Sequence, residues 1–249
     1  MHFLSKTNCL NSYLAFIICG GDFVDARDLA KMIDLTLLKP TATRSDIKLL
    51  CENAVKYGFI CVVVNPCYVS YAYDLLRGSG VRVGTVVGFP LGANLTEVKV
   101  FEAKRAVEAG ASEIDMVMNI GAFKSGDYQY VKNDILDVVE AVKSVRGDVI
   151  VKVIIETCYL NDKEKVLACS LIKEAGADFV KTSTGFGPGG ATIRDVKLLR
   201  KSVGSSLGVK ASGGIRDLKT ALAMIEAGAD RIGASAGVKI VEEMLRSSI

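Results

Sequence analysis

Four charged side chains of this chain fall in segments of β-branched residues, where a buried strand normally carries apolar side chains. They are Asp115, Lys152, Lys181 and Lys210. Strand alternation places Asp115 and Lys152 on the face opposite to their apolar neighbours, with Glu113 and Glu156 on the same face as these charges. The lysines are 29 residues apart (181 − 152 and 210 − 181), about one βα unit, which predicts comparable heights on three successive strands.

These charges have a structural and a functional interpretation. A lysine at a strand end can snorkel to solvent or form a structural ion pair. Burial, however, costs several kcal/mol per ion, and four buried charges in one layer are more than packing needs. The set therefore favours a functional interpretation, with Asp115, Lys152, Lys181 and Lys210 as candidate site residues.

Adjacent lysines predict an amine nucleophile. The reference pKa of a lysine, about 10.4, keeps it protonated at neutral pH, but a neighbouring ammonium and partial desolvation both favour the neutral amine. Two lysines on adjacent strands therefore indicate one activated amine beside one cation, and such an amine attacks carbonyl compounds. Asp115 can help the lysine cation to move protons. These residues alone do not decide which lysine is the nucleophile.

Glycine-rich segments follow three of the late strands, at 182–190, 211–216 and 233–237. Phosphate sites in TIM barrels are frequently built there from backbone N–H groups and a helix N-terminus, and glycine lets the backbone approach the anion closely. The alternative is that loop geometry alone requires the glycines. We expect a small phosphorylated substrate, and no nucleotide, since the P-loop pattern is absent.

The composition excludes several kinds of chemistry. The chain has a single histidine, His2, and seven cysteines without CxxC spacing. Histidine-dependent triads, HExxH motifs and histidine-ligated zinc are therefore excluded outside its start, and no metal is expected. An odd number of cysteines, several in apolar runs, predicts reduced, buried thiols in a cytoplasmic protein. The net charge of +3 is small and evenly spread, so no nucleic-acid partner is expected.

The N-terminus has no clear place in a domain. Its apolar run at 13–19 is too short to span a bilayer, and no membrane partner is expected. As a signal peptide it has the minimum length, one early lysine and no convincing cleavage site. We expect residues 1–28 to be a short packing extension, or the result of a start codon assigned too early, before a domain spanning 29–249.

A repeat organises the elements that position the charged residues. The tetrapeptide EAGA occurs at 108–111, 174–177 and 226–229, and each time a helical stretch ends, a glycine follows as a cap and a short strand begins. The glycines are 66 (176 − 110) and 52 (228 − 176) residues apart, which leaves room for about two βα units in each interval.

Eight strands result when the intervals are filled. Predicted strands lie at 32–36, 59–64, 81–87, 113–118, 149–155, 178–181, 208–210 and 231–233. Predicted helices include 96–109, 127–145, 162–175, 192–203 and 217–227, several of which begin with a Thr or Asp suited to N-capping. Alternating strands and helices imply a parallel sheet. The prediction is a single-domain α/β protein, a (β/α)8 TIM barrel, with an open doubly wound sheet as the alternative.

Seven segments are similar to the deoxyribose-phosphate aldolase family. They are IDLTLLKP at 33–40, VNPCYV at 64–69, VVGFPLGA at 86–93, EIDMVMNIG at 113–121, VKVIIET at 151–157, FVKTSTGF at 179–186 and GVKASGGIR at 208–216. The resemblance runs in order from about residue 32 to the end, while the first thirty or so residues have no counterpart.

The resemblance implies a cofactor-free class I aldolase that cleaves 2-deoxy-D-ribose 5-phosphate reversibly to acetaldehyde and D-glyceraldehyde 3-phosphate. It implies that Lys181 is the Schiff-base lysine, that Lys210 lowers the pKa of Lys181, and that Asp115 is the proton-shuttle carboxylate. Family members are usually dimers or tetramers, so a homo-oligomer is expected.

The resemblance also implies the residues that bind the substrate. Asp34 and Thr36 would line the substrate site, and we place Lys152 there on its inward position. The phosphate would be bound by Gly185, Gly213, Gly214, Gly233 and Ser235.

Three features depart from some family members. Some carry a lysine where this chain has Phe186 and a second serine where it has Ala236, and either change would weaken or reshape phosphate binding. Some end in a tyrosine that assists proton transfer, whereas this chain ends at Ile249. Three alternatives stay open: another Schiff-base aldolase or a transaldolase, an acid–base sugar-phosphate isomerase, and a barrel that only binds a sugar phosphate.

Overall fold

The structure is a computed structural model that describes residues 18–19, 22–23 and 25–247. Two short antiparallel strands, β1 (Ile18–Cys19) and β2 (Asp22–Phe23), precede the first helix. The eight further strands are β3 (Ile33–Leu37), β4 (Cys61–Val64), β5 (Arg82–Val87), β6 (Glu113–Val117), β7 (Ile150–Ile154), β8 (Phe179–Lys181), β9 (Gly208–Ser212) and β10 (Arg231–Ala234). These eight are parallel and close into a barrel, with β10 beside β3.

Helices connect the barrel strands. They are α1 (Ala26–Lys31), α2 (Arg44–Tyr57), α3 (Val69–Leu76), α4 (Thr96–Glu108), α5 (Ile120–Lys124), α6 (Tyr128–Val145), α7 (Asp162–Glu174), α8 (Ile193–Val203), α9 (Leu218–Glu226) and α10 (Gly237–Ser247). The (β/α)8 TIM barrel predicted from the sequence is confirmed, and the doubly wound alternative is wrong because the sheet closes. Within residues 25–247 no helix has both the length and the hydropathy that crossing a bilayer requires.

The N-cap residues show why the helices begin where they do. Asp127, Thr192 and Asp217 each accept a backbone N–H bond as the N-cap of α6, α8 and α9. The start predicted at Thr96 differs: Leu95 is the N-cap, and the Thr96 hydroxyl donates to Asp134 instead.

The strands separate apolar from charged side chains as alternation predicts. Val151, Val153 and Met116 point outward and are completely buried in the large core between sheet and helices. Inside the barrel one apolar cluster comprises Leu38, Cys61, Val63 and Val86, and Val117 and Ile154 are also buried on the inward faces of β6 and β7. The rest of the interior is available for charged groups.

The strand register corrects the prediction of equal heights for the three lysines. Lys181 pairs with Lys210 across β8 and β9, so these two do share a height. Lys152 on β7 pairs with Phe179, two residues before Lys181. The barrel is sheared, so equal spacing along the chain does not give equal depth, and Lys152 lies deeper than the other two.

The boundary predicted between residues 28 and 29 falls inside α1, whose Leu29 and Ala30 are fully buried. The division itself stays a prediction, as most of residues 1–28 lie outside the described residues.

Buried thiols are found at Cys51, Cys61 and Cys169, whereas Cys67 and Cys158 are exposed because they lie in the turns Pro66–Tyr68 and Thr157–Tyr159 that follow β4 and β7.

Candidate active site

Asp115, near the middle of β6, is the common partner of three lysines. Its Oδ1 accepts a hydrogen bond from Lys152 Nζ at 2.8 Å. Its Oδ2 accepts from Lys181 Nζ at 2.7 Å and from Lys210 Nζ at 2.6 Å. All four side chains are buried, with Lys181 4 % exposed. The structure therefore brings together the four residues that the sequence singled out by their charge.

A second set of charges lies deeper in the barrel. Lys152 Nζ is 2.5 Å from Glu113 Oε2, and Lys210 Nζ is 2.5 Å from Asp34 Oδ2. Arg231, at the start of β10, donates from Nε to Asp34 at 2.9 Å and from Nη2 to Glu113 at 2.9 Å. These contacts join both layers into one group, here named the barrel charge cluster: Asp34, Glu113, Asp115, Lys152, Lys181, Lys210 and Arg231.

The charge balance of the cluster identifies the lysine that is most easily deprotonated. Its four cations face three carboxylates, so one positive charge is in excess while every group is ionised. Arg82 also contacts Glu113, but its side chain is 46 % exposed and is therefore screened by solvent. Loss of one proton from a lysine balances the buried charges. Lys181 is the lysine with the fewest carboxylate contacts, since it contacts Asp115 alone.

The pKa values agree with this assignment. Burial lowers the pKa of Lys181 to about 8, and the ammonium groups of Lys210 and Lys152 act in the same direction against the attraction of Asp115. Burial also acts to lower the pKa of Lys152, but Asp115, Glu113 and Asp34 outweigh it and raise that pKa. Burial would raise the pKa of Asp115, yet the three lysines hold it well below its usual range. Lys181 is therefore the amine that loses a proton most readily, beside an ionised carboxylate.

The residues assigned to the substrate lie at different depths. Asp34 and Lys152 are completely buried within the barrel charge cluster, whereas Thr36 is half-buried near the end of β3, with its hydroxyl bonded to the Asp34 carbonyl. Substrate contact by these three residues stays a prediction. The placement favours Thr36 as a direct contact and gives Asp34 and Lys152 contacts with Lys210 and Asp115.

The loops after β8 and β9 pack directly on each other. The Ala191 N–H donates to the carbonyls of Ser212 and Gly213 at 3.1 and 3.0 Å. Gly213 and Gly214 have φ angles of +89° and +81°, a conformation that side chains rarely adopt. The backbone conformation alone thus accounts for these two glycines, and their part in phosphate binding stays a prediction.

Gly233 and Ser235 bring the end of β10 to the same place. A Cβ on Gly233 would lie 3.0 Å from both Lys210 Cε and Ser212 Cβ, so glycine leaves the space through which Lys210 reaches Asp115. Ser235 is exposed two residues before α10 begins. Gly185, on the loop after β8, is exposed with φ +84°. Phosphate binding by these residues stays a prediction.

Arg231 and Glu113 are the members of the cluster that the sequence-based site lacked. Alternation places Glu113 on the inward face, but no motif gives it a role, and the pattern predicts only that Arg231 begins a short strand. The register of Arg231 with Lys210 places Arg231 inside the barrel. The signal that the sequence offers for this position is a charged residue at the start of the strand that follows EAGA.

A closed (β/α)8 barrel that holds a buried lysine of lowered pKa between a carboxylate and a second lysine defines an enzyme whose amine reacts with carbonyl groups. A family model described as DeoC/LacD family aldolase matches residues 16–243, and the chain belongs to this family. It is an enzyme, a lyase of the aldolase class.

Known proteins of this family agree in sequence and in fold. A deoxyribose-phosphate aldolase of Caldanaerobacter subterraneus is 65 % identical over 222 residues, which cover 89 % of this chain and 96 % of the relative. A solved structure of a putative deoxyribose-phosphate aldolase from Coccidioides immitis superposes with a TM-score of 0.85 at 45 % identity, covering 94 % of this chain and 91 % of that one. A deoxyribose phosphate aldolase from Aeropyrum pernix, described as a unique tetramer, gives a TM-score of 0.83 at 39 % identity, covering 90 % and 94 %.

Proposed function

We propose that the protein cleaves 2-deoxy-D-ribose 5-phosphate reversibly to acetaldehyde and D-glyceraldehyde 3-phosphate, with Lys181 as the Schiff-base nucleophile. The observation that carries this proposal is the contact of Lys181 and Lys210 with one carboxylate oxygen of Asp115, together with the lowered pKa of Lys181. The names of the curated relatives support the choice of sugar phosphate.

The reaction follows from these groups. The neutral amine of Lys181 attacks the aldehyde carbon of the open-chain sugar, and loss of water gives an iminium ion. A base takes the proton of the C3 hydroxyl, the C2–C3 bond breaks, and glyceraldehyde 3-phosphate leaves while the electron pair forms an enamine on Lys181. Protonation of this enamine at C2 and hydrolysis release acetaldehyde and return the amine. Asp115 and Lys210 lie within hydrogen-bond distance of one another and are suited to carry the protons.

The phosphate end of the substrate would lie on the glycine-rich segments: Gly185, Gly213 and Gly214 lie on the loops that follow β8 and β9, Gly233 lies near the end of β10, and Ser235 lies beside α10. Backbone N–H groups and a helix N-terminus bind such an anion without a lysine side chain. Phe186 is half-exposed on the same loop and contacts Phe89 edge-on, with ring centroids 5.2 Å apart.

The test is covalent trapping. Incubation with deoxyribose 5-phosphate and sodium borohydride, followed by peptide mass spectrometry, should give one reduced adduct on Lys181, and Lys181→Met should give none. Lys165→Met removes another buried lysine, which pairs with Asp195 outside the barrel, and serves as the matched control. Turnover without an adduct would point to the acid–base isomerase, and binding without turnover to a sugar-phosphate-binding barrel.

We also propose a homo-oligomer, a dimer or tetramer, and a cytoplasmic location. Leu91, Leu95, Val98 and Phe101 are exposed along α4 and the loop before it, with exposed fractions from 45 % to 73 %. Such a stripe is a usual sign of a protein interface. The unpaired cysteines fit a reducing compartment. Sedimentation analysis of the wild type against Phe101→Lys tests the interface, because a monomeric wild type would contradict it.

A further inference from the structure

Glu156 combines burial, a carboxylate and an unusual backbone conformation, and the reaction as derived does not use it. It follows β7 with φ +48° and ψ 70°, and in the part of the chain that the structure describes it is the one residue other than glycine with positive φ. Glu156 as a whole is only 2 % exposed. Backbone strain of this kind persists where surrounding contacts fix it, and it often marks functional sites.

The side chain of Glu156 accepts hydrogen bonds from the loop that follows Lys181 and from its own turn. Its Oε2 accepts a hydrogen bond from the Thr184 N–H at 3.2 Å and another from the Thr184 hydroxyl. The same hydroxyl accepts from the Phe186 N–H at 3.0 Å. A Cβ on Gly187 would lie 3.1 Å from Glu156 Cδ, so the carboxylate fills the space beneath this turn.

Gly185 lies between the two residues that are held in this way. Its φ is +84°, and a Cβ there would meet nothing within 4 Å, so its backbone faces open space. Thr184 and Phe186 on either side are fixed through one carboxylate, and their own N–H groups are used in doing so. Within the described residues the N–H groups of Gly185 and Gly187 have no hydrogen-bond partner, and of these two glycines only Gly185 has open space at its Cβ position. The Gly185 N–H is therefore the donor of this turn that we consider for a ligand.

The charge of Glu156 cannot itself attract a phosphate. Among the described residues its donors are backbone N–H and hydroxyl groups, with the Cys158 thiol at 3.9 Å, and no lysine or arginine forms an ion pair with it. A carboxylate this close to an anion site would repel the anion. Its effect must therefore come from the position that it gives to the loop.

We propose that Glu156 is a positioning residue for the phosphate group of the substrate: it fixes the turn 184–187 so that the Gly185 N–H points at the phosphate. The inference rests on the proposed function and adds to it the residue on which recognition of the phosphate depends. It predicts a loss of affinity for phosphorylated ligands and little change in the amine chemistry at Lys181.

The experiment compares two substrates and one inhibitor. For wild type and Glu156→Gly, kcat and KM are measured with deoxyribose 5-phosphate and with unphosphorylated 2-deoxyribose, and the inhibition constant of inorganic phosphate is measured with each. Glycine adopts the left-handed conformation without strain, so this variant removes the carboxylate and keeps the backbone. We expect KM for the phosphorylated sugar and the phosphate inhibition constant to rise about tenfold or more, as loss of a charged hydrogen-bond acceptor does, while kcat/KM for 2-deoxyribose changes less than about threefold.

Two further variants separate positioning from a general loss of structure. Glu156→Gln keeps an oxygen that can accept from the Thr184 hydroxyl and should restore most of the affinity, and Thr184→Val should reproduce the defect of Glu156→Gly. Glu140→Ala, an exposed glutamate on α6, is the control for a lost carboxylate. Thermal melting of each variant shows that it is folded.

The outcomes distinguish this inference from the proposed function. A wild type that does not cleave deoxyribose 5-phosphate contradicts the proposed function. A wild type that does so, with Glu156→Gly losing equal activity on both sugars or keeping the wild-type phosphate inhibition constant, overturns the role of Glu156 alone.

Discussion

Lys210→Met should move the pH dependence of the reaction to higher pH. In the wild type Lys181 must lose its proton before it attacks, and its pKa of about 8 results from burial and then from the ammonium groups of Lys210 and Lys152. Removing the Lys210 charge removes one of the groups that lower this pKa, while burial and Asp115 are unchanged. The pKa of Lys181 therefore rises, and the neutral amine forms only at higher pH.

The distances give the size of the effect. Lys181 Nζ and Lys210 Nζ lie 2.7 and 2.6 Å from the same Asp115 oxygen, so they are at most about 5.3 Å apart, and two unit charges at that distance interact by about 3 kcal/mol at an effective dielectric constant of about 20. This corresponds to about two pKa units. The pKa of Lys181 would then be about 10, and at pH 7 the fraction of neutral amine would fall by about a hundredfold.

The assay is the initial rate of acetaldehyde release from deoxyribose 5-phosphate between pH 6 and pH 11. We expect the acidic limb of kcat/KM to have its midpoint about two units higher in Lys210→Met than in the wild type. A second measurement, the pH dependence of reductive alkylation of Lys181 by acetaldehyde and cyanoborohydride, separates the nucleophile's pKa from any role of Lys210 in proton transfer. Lys165→Met is the control and should leave both midpoints unchanged. If the midpoints of Lys210→Met also stay in place, Lys210 does not lower the pKa of Lys181.

Three other substitutions each change a single position of the site or of the core. Phe186→Lys should lower KM for deoxyribose 5-phosphate without lowering KM for 2-deoxyribose, because it adds a cation beside Gly185. Steady-state kinetics on both sugars test this prediction, and an equal change in both KM values would mean that the new lysine does not act on the phosphate. Gly233→Ala should lower kcat, because the new Cβ would lie 3.0 Å from Lys210 Cε, and a wild-type kcat would mean that Lys210 can shift without loss. Lys99→Met should lower the free energy of unfolding by about 3–5 kcal/mol, since it leaves buried Asp134 without the ammonium group that lies 2.6 Å from it. Urea denaturation measures this loss of stability, and the double variant with Asp134→Leu should recover much of it.

The sequence was sufficient for the layout of the barrel because local patterns determine it. Alternation along β6 and β7 separates inward charges from outward apolar residues, and capping residues such as Thr192 mark the helix starts. Lys181, Lys210 and Asp115 could be found for the same reason, since a charge on the inward face of a short strand is visible without knowing its neighbours.

Contacts across the barrel could not be predicted in this way. The depth of Lys152 depends on the stagger between β7 and β8, which no pattern within either strand records. Arg231 contacts Glu113, 118 residues earlier in the chain, only because β10 closes the barrel beside β3. The backbone conformation of Glu156 was equally out of reach, because alternation was extended past Ile154, where the strand ends and the side chain contacts Thr184 instead.

These long-range contacts explain why the reactive lysine is Lys181. Each of the two other lysines contacts at least two carboxylates, Lys152 through Glu113 and Asp115 and Lys210 through Asp34 and Asp115. Lys181, the last residue of β8, contacts Asp115 alone among these carboxylates. Lys152 differs from the other two lysines in depth, whereas Lys181 and Lys210 share a height and differ in that only Lys210 also contacts Asp34. The lysine of the cluster with the fewest carboxylate contacts is the one that can act as an amine.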